Sequence, residues 1–307
     1  MNDLYEKILH KTFGSNCKLL SHKIITDGYK NTTCKLTCTQ YASPLFVKIE
    51  KPFTIPRTQK FQIKKEVAGI RLCSNAGIPV PQIISADEDG SSFSTPWILL
   101  KFIEENLISN EHQLSAENKK LLGAEYENIF SKISDIASDF YGDTFSGGVI
   151  GQHRSWNYTM ATITRLLFED ATWLNAFGNK AYIVEQAIAK ALLQIESNLP
   201  PALFHCDLFS QNIMGVRRGG TVHIGHVIDF GMSIFAPRAY SHYLTWKYTD
   251  FAVTPIDIAK KYEIDQNELT AYDILRMEPV LLANIFKFYG YDVFTQEFVQ
   301  MCEHYLV

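Results

Sequence analysis

Three polar side chains in the middle of the chain stand in an order that suits phosphoryl transfer. Asp207 and Asn212 lie five residues apart in HCDLFSQN, and Asp229 follows in VIDFG after a hairpin-length gap. Moving a phosphoryl group asks little covalent work of a protein. It needs a carboxylate to orient and deprotonate the acceptor hydroxyl, oxygen ligands for a divalent cation, and a positive charge on the phosphates. Asp207 is the candidate base. Asn212 can present an amide oxygen to Mg2+, and Asp229, at the end of an apolar strand beside a tight turn, can present a carboxylate, both hard donors of the kind Mg2+ favours. His205 is read as bracing the loop by hydrogen bonds. A lone Asp or Asn in a loop is ordinarily a turn former; the ordered set carries the assignment.

Lys48 sits in LFVKIE, inside an apolar strand, where a buried ammonium is costly without a partner. Glu66 offers one. On the next helix Ile63, Glu66, Val67 and Ile70 fall at i, i+3, i+4 and i+7, so a carboxylate lies on an otherwise apolar face. Taken singly, the two have plainer accounts: a strand-edge lysine, and a glutamate whose stem reaches solvent. Beside the Asp207–Asn212–Asp229 set, the ion pair is favoured. The turn TDGYKNTTCKL has one glycine, Gly28, between apolar strands, so it is not a G-x-G-x-x-G cradle. Amides of residues 28–32 and the hydroxyls of Thr32 or Thr33 can still reach phosphates. A plain hairpin turn is the competing account.

The elements that must position these residues follow from periodicity. LLSHKIIT, CKLTCT and SPLFVKIE read as strands. A helix over about 59–76 is stopped by Gly77 and the Pro79/Pro81 pair. PQIISA and STPWILLKFI are strands joined by DEDGSS, which begins like a calcium loop at Asp87, Asp89 and Gly90 but lacks the closing Glu, leaving a hairpin turn. After about residue 105 the pattern becomes helical, over 115–140, 155–171 and 180–198, interrupted at 201–235 by a strand–turn–strand segment around RRGG. Thr254, Pro255 and Asp257 give one helix start, and Asp265 with Glu268 the spacing of a capping box. The last helix repeats apolar residues at Phe294, Phe298, Met301, Cys302 and Tyr305, a core-facing stripe. The expected fold class is α+β: a β-rich N-terminal lobe with its connector over 1–105, and a mainly helical C-terminal lobe with catalytic loop and acceptor site over 106–307.

HCDLFSQN with VIDFG resembles the His-Gly-Asp-x-x-x-x-Asn and Ile-Asp-Phe/Trp-Gly motifs of the aminoglycoside phosphotransferase and choline kinase superfamily, whose fold is bilobal and protein-kinase-like. The resemblance covers most of the chain. It implies Asp207 as catalytic base, Asn212 and Asp229 as metal ligands, and Lys48 with Glu66 on the phosphates of ATP or GTP. Gly28, Asn31 and Thr33 match that family's G-x-x-N-x-T loop. WILLKFIEE would hold the lobe connector, with the backbone of Lys101 and Ile103 bonding the adenine. Two departures stand out: Cys206 replaces the usual glycine, and FAPRAYSHYL replaces the family's acidic segment beyond Gly231.

The remaining properties bound the choice. Of 307 residues, 46% are hydrophobic and 20% charged, enough for a full core without disordered tracts. No apolar run approaches the ~18 residues of a membrane span and no signal-peptide pattern opens the chain, so a cytoplasmic protein is expected. The six cysteines form no C-x-x-C pair. Net charge runs from +4 over 1–105 through −3 over 106–244 to −5 over 245–307, without the dominant basic face of a nucleic-acid binder. The acidic end suits a cationic acceptor such as an aminoglycoside or choline-like amine. Candidate contacts are Asp250, Asp257, Asp273 and Glu278, with Trp156 and Trp246 as aromatic walls. Two alternatives compete: a catalytically inactive nucleotide-binding module acting through partners, and a protein kinase. Every assignable catalytic position is filled, which weighs against the first, and no Ala-Pro-Glu follows the Asp-Phe-Gly segment, which weighs against the second.

Overall fold

The computed structural model describes residues 2–27, 31–51, 61–111, 114–169, 175–195, 199–254, 256–276 and 292–307. The chain divides into two compact units, one of residues 1–54, 61–125 and 209–232, the other of 55–60, 126–208 and 233–307.

The first unit is built on a five-stranded antiparallel sheet. Its strands are β1 (Leu19–Asp27), β2 (Asn31–Cys38), β3 (Tyr41–Glu50), β4 (Ile83–Asp87) and β5 (Trp97–Lys101), in the spatial order β1-β2-β3-β5-β4. One face is packed by α1 (Asn2–Phe13), whose Tyr5, Ile8 and Leu9 recur at helical spacing and meet Cys34, Leu36, Leu45, Val47, Trp97 and Leu99. This helix lies in a stretch that sequence reading consulted only for a signal-peptide pattern. Lys48 and Glu50 alternate with Val47 and Ile49, so they leave β3 on the opposite face. That face meets α2 (Gln62–Asn75), which buries Ile63, Glu66, Val67 and Ile70, the four residues expected to share one side. A second sheet in this unit has the order β11-β10-β6, from β6 (Asn106–Leu107), β10 (Ile213–Arg218) and β11 (Thr221–Val227). Gly219 and Gly220 close the β10–β11 hairpin with φ of 57° and 87°, a turn that needs glycine's freedom at both places. Helix α3 (Ala116–Ser134) is tied to β11 where the Asn118 amide brackets the backbone of Val222, donating to its carbonyl at 2.7 Å and accepting from its N–H at 3.0 Å.

The second unit holds a four-stranded sheet of order β8-β7-β12-β9, from β7 (Tyr141–Asp143), β8 (Gln152–His153), β9 (Pro201–Phe204) and β12 (Ile234–Pro237). Around it stand α4 (Trp156–Phe168), α5 (Ala181–Leu193), α6 (Arg238–Tyr248), α7 (Ile258–Tyr262), α8 (Gln266–Ile274) and α9 (Asp292–Leu306). Trp156, Tyr240 and Tyr272 are fully buried aromatic members of its core. The expected helices are present, but with earlier ends: α3 stops at Ser134 and α5 at Leu193. The N-cap of α7 is Asp257, which accepts from Lys260 N, so Thr254 lies outside the helix. At α8 Asp265 accepts from Glu268 N at 2.8 Å, while the Glu268 carboxylate takes the Tyr272 hydroxyl at 2.6 Å, so the reciprocal half of the capping box is not made. All six cysteines are free thiols. Among the described residues no helix is long and apolar enough to cross a membrane.

Candidate active site

In the first unit the central strand β3 brings Lys48 under α2. Its ammonium donates to Glu66 Oε2 at 3.0 Å and to Asp229 Oδ1 at 2.8 Å. The Lys48 and Glu66 side chains are 8% and 3% exposed, whereas the Asp229 side chain is 47% exposed, so the trio is open to solvent only at Asp229. Burial alone would lower the Lys48 pKa, but the Asp229 and Glu66 carboxylates outweigh it and hold the ammonium above the ordinary lysine range. Burial pushes Glu66 up to about 7; Lys48 opposes this and the charge on Asp229 adds to it. Two carboxylates therefore share one cation, and the set has negative charge to spare for a second.

Asp229 follows β11 with φ of 62°, a left-handed conformation that Asp tolerates better than most side chains. The next residue, Phe230, is fully buried against α2. A Cβ at Gly69 would lie 2.6 Å from the Phe230 Cβ, so glycine is required where helix and loop approach. Asn212 ends a 3-10 turn over Ser210–Asn212, and its carbonyl accepts Ile228 N at 2.9 Å. That bond ties the backbone of Asn212 to the residue beside Asp229. Thr33 pairs with Lys48 across β2 and β3. The Asn31 amide oxygen is buried without a hydrogen-bond partner among the described residues. Lys101 closes β5 and donates its N–H to Gln82 O, while Ile103 N–H takes no backbone partner among the described residues. Gly28 lies outside the described residues.

In the second unit Phe204 of β9, the residue before His205, pairs with Ile234 of β12. His205 is buried and its Nδ1 accepts from Asp207 N at 3.3 Å, a brace across the loop. Tyr126 of α3 donates to Leu208 O at 2.8 Å and fixes the residue after Asp207. Cys206 has φ of 68°, in the region that favours glycine. The Asp207 side chain is half-buried.

The model of the phosphotransferase enzyme family APH matches residues 21–273. The chain belongs to this family. A search of curated protein sequences gives no match. Among solved structures the chain is similar to a thermostable variant of aminoglycoside phosphotransferase APH(4)-Ia in complex with AMP-PNP and hygromycin B, at 16% identity, with a TM-score of 0.65 and coverage of 98% of this chain and 97% of that one. It is similar to a protein assigned as a fructosamine-3-kinase in Haemophilus somnus 129PT, at 16% identity, TM-score 0.62, and coverage of 97% and 96%. It is also similar to APH(2")-IIa in complex with gentamicin, at 16% identity, TM-score 0.55, and coverage of 99% and 95%. The expected α+β, protein-kinase-like fold of the aminoglycoside phosphotransferase and choline kinase superfamily is the one observed.

For this phosphotransferase the structure separates the residues proposed for the acceptor. Trp156 is 2% exposed, with its ring 5.0 Å from Tyr240 and 6.0 Å from Tyr141, and serves the core of its unit. Trp246 is half-buried, donates Nε1 to Thr254 O at 2.7 Å and lies against Phe130. Asp273 is a buried hub, accepting from Tyr243 at 2.8 Å, Lys247 at 2.6 Å and Tyr248 at 2.9 Å. Asp257 caps α7, Asp250 is exposed, and Glu278 lies outside the described residues. Sequence reasoning missed Tyr126, Gly69 and Glu50. Only Glu50, two residues beyond Lys48, had a signal of its own: it shares the strand face of Lys48.

Proposed function

We propose that this small-molecule phosphotransferase transfers the γ-phosphate of ATP or GTP to a hydroxyl of its acceptor. The observation that carries the reading is Lys48, buried and held between Glu66 and the half-exposed Asp229. An ammonium fixed from behind by a buried carboxylate is ready to take phosphate oxygens in front. Residues 1–105 are proposed as the nucleotide-binding lobe with its connector and 106–307 as the lobe of the catalytic loop and acceptor site.

The donor set fits Mg2+. Among the described residues no group of three or more His, Cys, Asp or Glu could hold an ion. An amide and one carboxylate nevertheless match a cation that keeps several waters and shares phosphate oxygens. Asn212 and Asp229 would hold it, and the ion would supply positive charge to offset that of the phosphates. Asn31 and Thr33 are assigned to the phosphate-covering turn with Gly28, and Lys101 and Ile103 to the adenine. Asp207, held by His205, takes the proton of the acceptor hydroxyl. The oxygen then attacks the γ-phosphorus, its bond to the bridging oxygen breaks, and the nucleoside diphosphate leaves.

A cationic acceptor is favoured by the −5 charge of residues 245–307 and by relatives solved with hygromycin B and gentamicin. Asp250, exposed near the end of α6, and the half-buried Trp246 are retained as candidate contacts. A coupled assay of ADP or GDP release against aminoglycosides, choline, homoserine and modified sugars tests this. Acceleration by one cationic class is expected. Acceleration by neutral sugars alone would overturn the acceptor class.

A further inference from the structure

We propose that Glu50 is a positioning residue for the nucleotide site: its carboxylate caps the N-terminus of α2 and so keeps Glu66 in register with Lys48. The proposal rests on the nucleotide reading given above.

Helix α2 begins badly by its own means. Its N-cap is Phe61, left-handed at φ of 63°, with no side-chain cap. Its first turn has no acidic residue and instead carries Lys64 and Lys65, which place positive charge at the positive end of the helix dipole. The missing acceptor comes from the neighbouring strand. Ile63 N donates to Glu50 Oε2 at 3.2 Å. The amides of Phe61 and Gln62 also favour the charged carboxylate.

Glu50 is well placed for this. Its N–H donates to Pro96 O at 3.0 Å, its carbonyl accepts the Thr95 hydroxyl at 3.4 Å, and Asn31 pairs with it across β2. The carboxylate thus hangs from a backbone fixed on both sides. Burial pushes its pKa up, while Ile63 N and the Lys48 ammonium work against that, so Lys48 and Glu50 share one field. Ile63 and Glu66 are three residues apart, less than one helical turn. Fraying of the first turn would therefore carry Glu66 away from Lys48.

The test is calorimetric titration of Mg2+ and AMP-PNP into wild-type protein, Glu50→Gln and Glu50→Ala, with thermal melts of each. Glu50→Gln keeps an acceptor oxygen and is expected to bind within about three-fold of wild type, Glu50→Ala about ten-fold more weakly. Unchanged affinity in folded Glu50→Ala, even with a lower Tm, would overturn the proposal, because Glu50 would then serve stability alone. Equal weakening in both variants would overturn the cap, since no rescue by the acceptor oxygen would be seen. If Glu50→Ala does not fold, Glu50→Asp keeps the charge and shortens the reach; binding at the wild-type level would count against the geometry. Wild-type protein that does not bind AMP-PNP would overturn the nucleotide reading itself, a result distinct from all of these.

Discussion

Lys48 lies between two carboxylates of different kinds, one sealed in the core and one half in solvent. Replacing it by Met leaves the Glu66 carboxylate buried without its cation. The expected cost is about 3–5 kcal/mol of unfolding free energy, measured by urea titration. The double variant Lys48→Met/Glu66→Leu removes both charges and is expected to recover most of that loss without recovering nucleotide binding. If Lys48→Met unfolds at the wild-type midpoint, the buried pair does not carry the charge assigned to it. At this scale the sequence was informative: the facing of Glu66 on an apolar stripe, read beside the Asp207–Asn212–Asp229 set, pointed to the partner that Lys48 has at 3.0 Å. The second carboxylate on the same ammonium was not announced, because Asp229 is 181 residues away and only tertiary folding sets that distance. Cys206 shows the reverse. Its substitution for glycine was plain in the motif, but only the backbone, at φ of 68°, shows why glycine suits the position.

The element that controls this geometry is α2. It is capped by Glu50 at one end, joined to Lys48 through Glu66, and pressed on Phe230 at Gly69. Gly69→Ala would put a methyl group within 3 Å of three Phe230 side-chain carbons. Overpacking of this kind costs about 1–3 kcal/mol. Because Phe230 adjoins Asp229, weaker AMP-PNP binding is expected along with a lower Tm. A Gly69→Ala protein with wild-type stability and affinity would show that helix and loop move apart freely. Helix α2 was legible from periodicity and its Gly77 and proline stop, α4 and α5 from their helical pattern, and β10–β11 from its double glycine. Helix α1 was not, since its three inward residues lie among charges in a segment consulted only for a signal-peptide pattern. The helix ends came out long because side-chain patterns continue past the last backbone bond.

At the level of the whole molecule the chain is a member of the APH phosphotransferase family, for which a cationic acceptor is proposed. Tryptophans and acids near the C-terminus were easy to nominate but hard to sort, because a buried core Trp and a pocket Trp look alike in sequence. Trp156 and Asp273 are engaged by the core of their unit. The second unit also holds a pH-sensitive group. His242 is buried, with the Tyr262 hydroxyl hydrogen-bonded to its Nδ1 at 2.6 Å, and its pKa falls to about 3 through burial, Lys261 and Arg238. The unfolded chain, with an ordinary value near 6.5, binds that proton first. Its stabilising effect is therefore complete above pH 6.5 and is lost as pH falls from there toward 3. Melting curves across that window should fall more steeply for wild type than for His242→Gln. Parallel curves would contradict the assignment.

The proposed chemistry turns on Asp207 as the base that removes the acceptor proton. Its decisive measurement is turnover of Asp207→Asn on the acceptor that most stimulates wild-type ADP release, with AMP-PNP affinity measured alongside. Loss of about 10²–10⁴ in turnover with nucleotide affinity retained is expected. Turnover at the wild-type rate would contradict it.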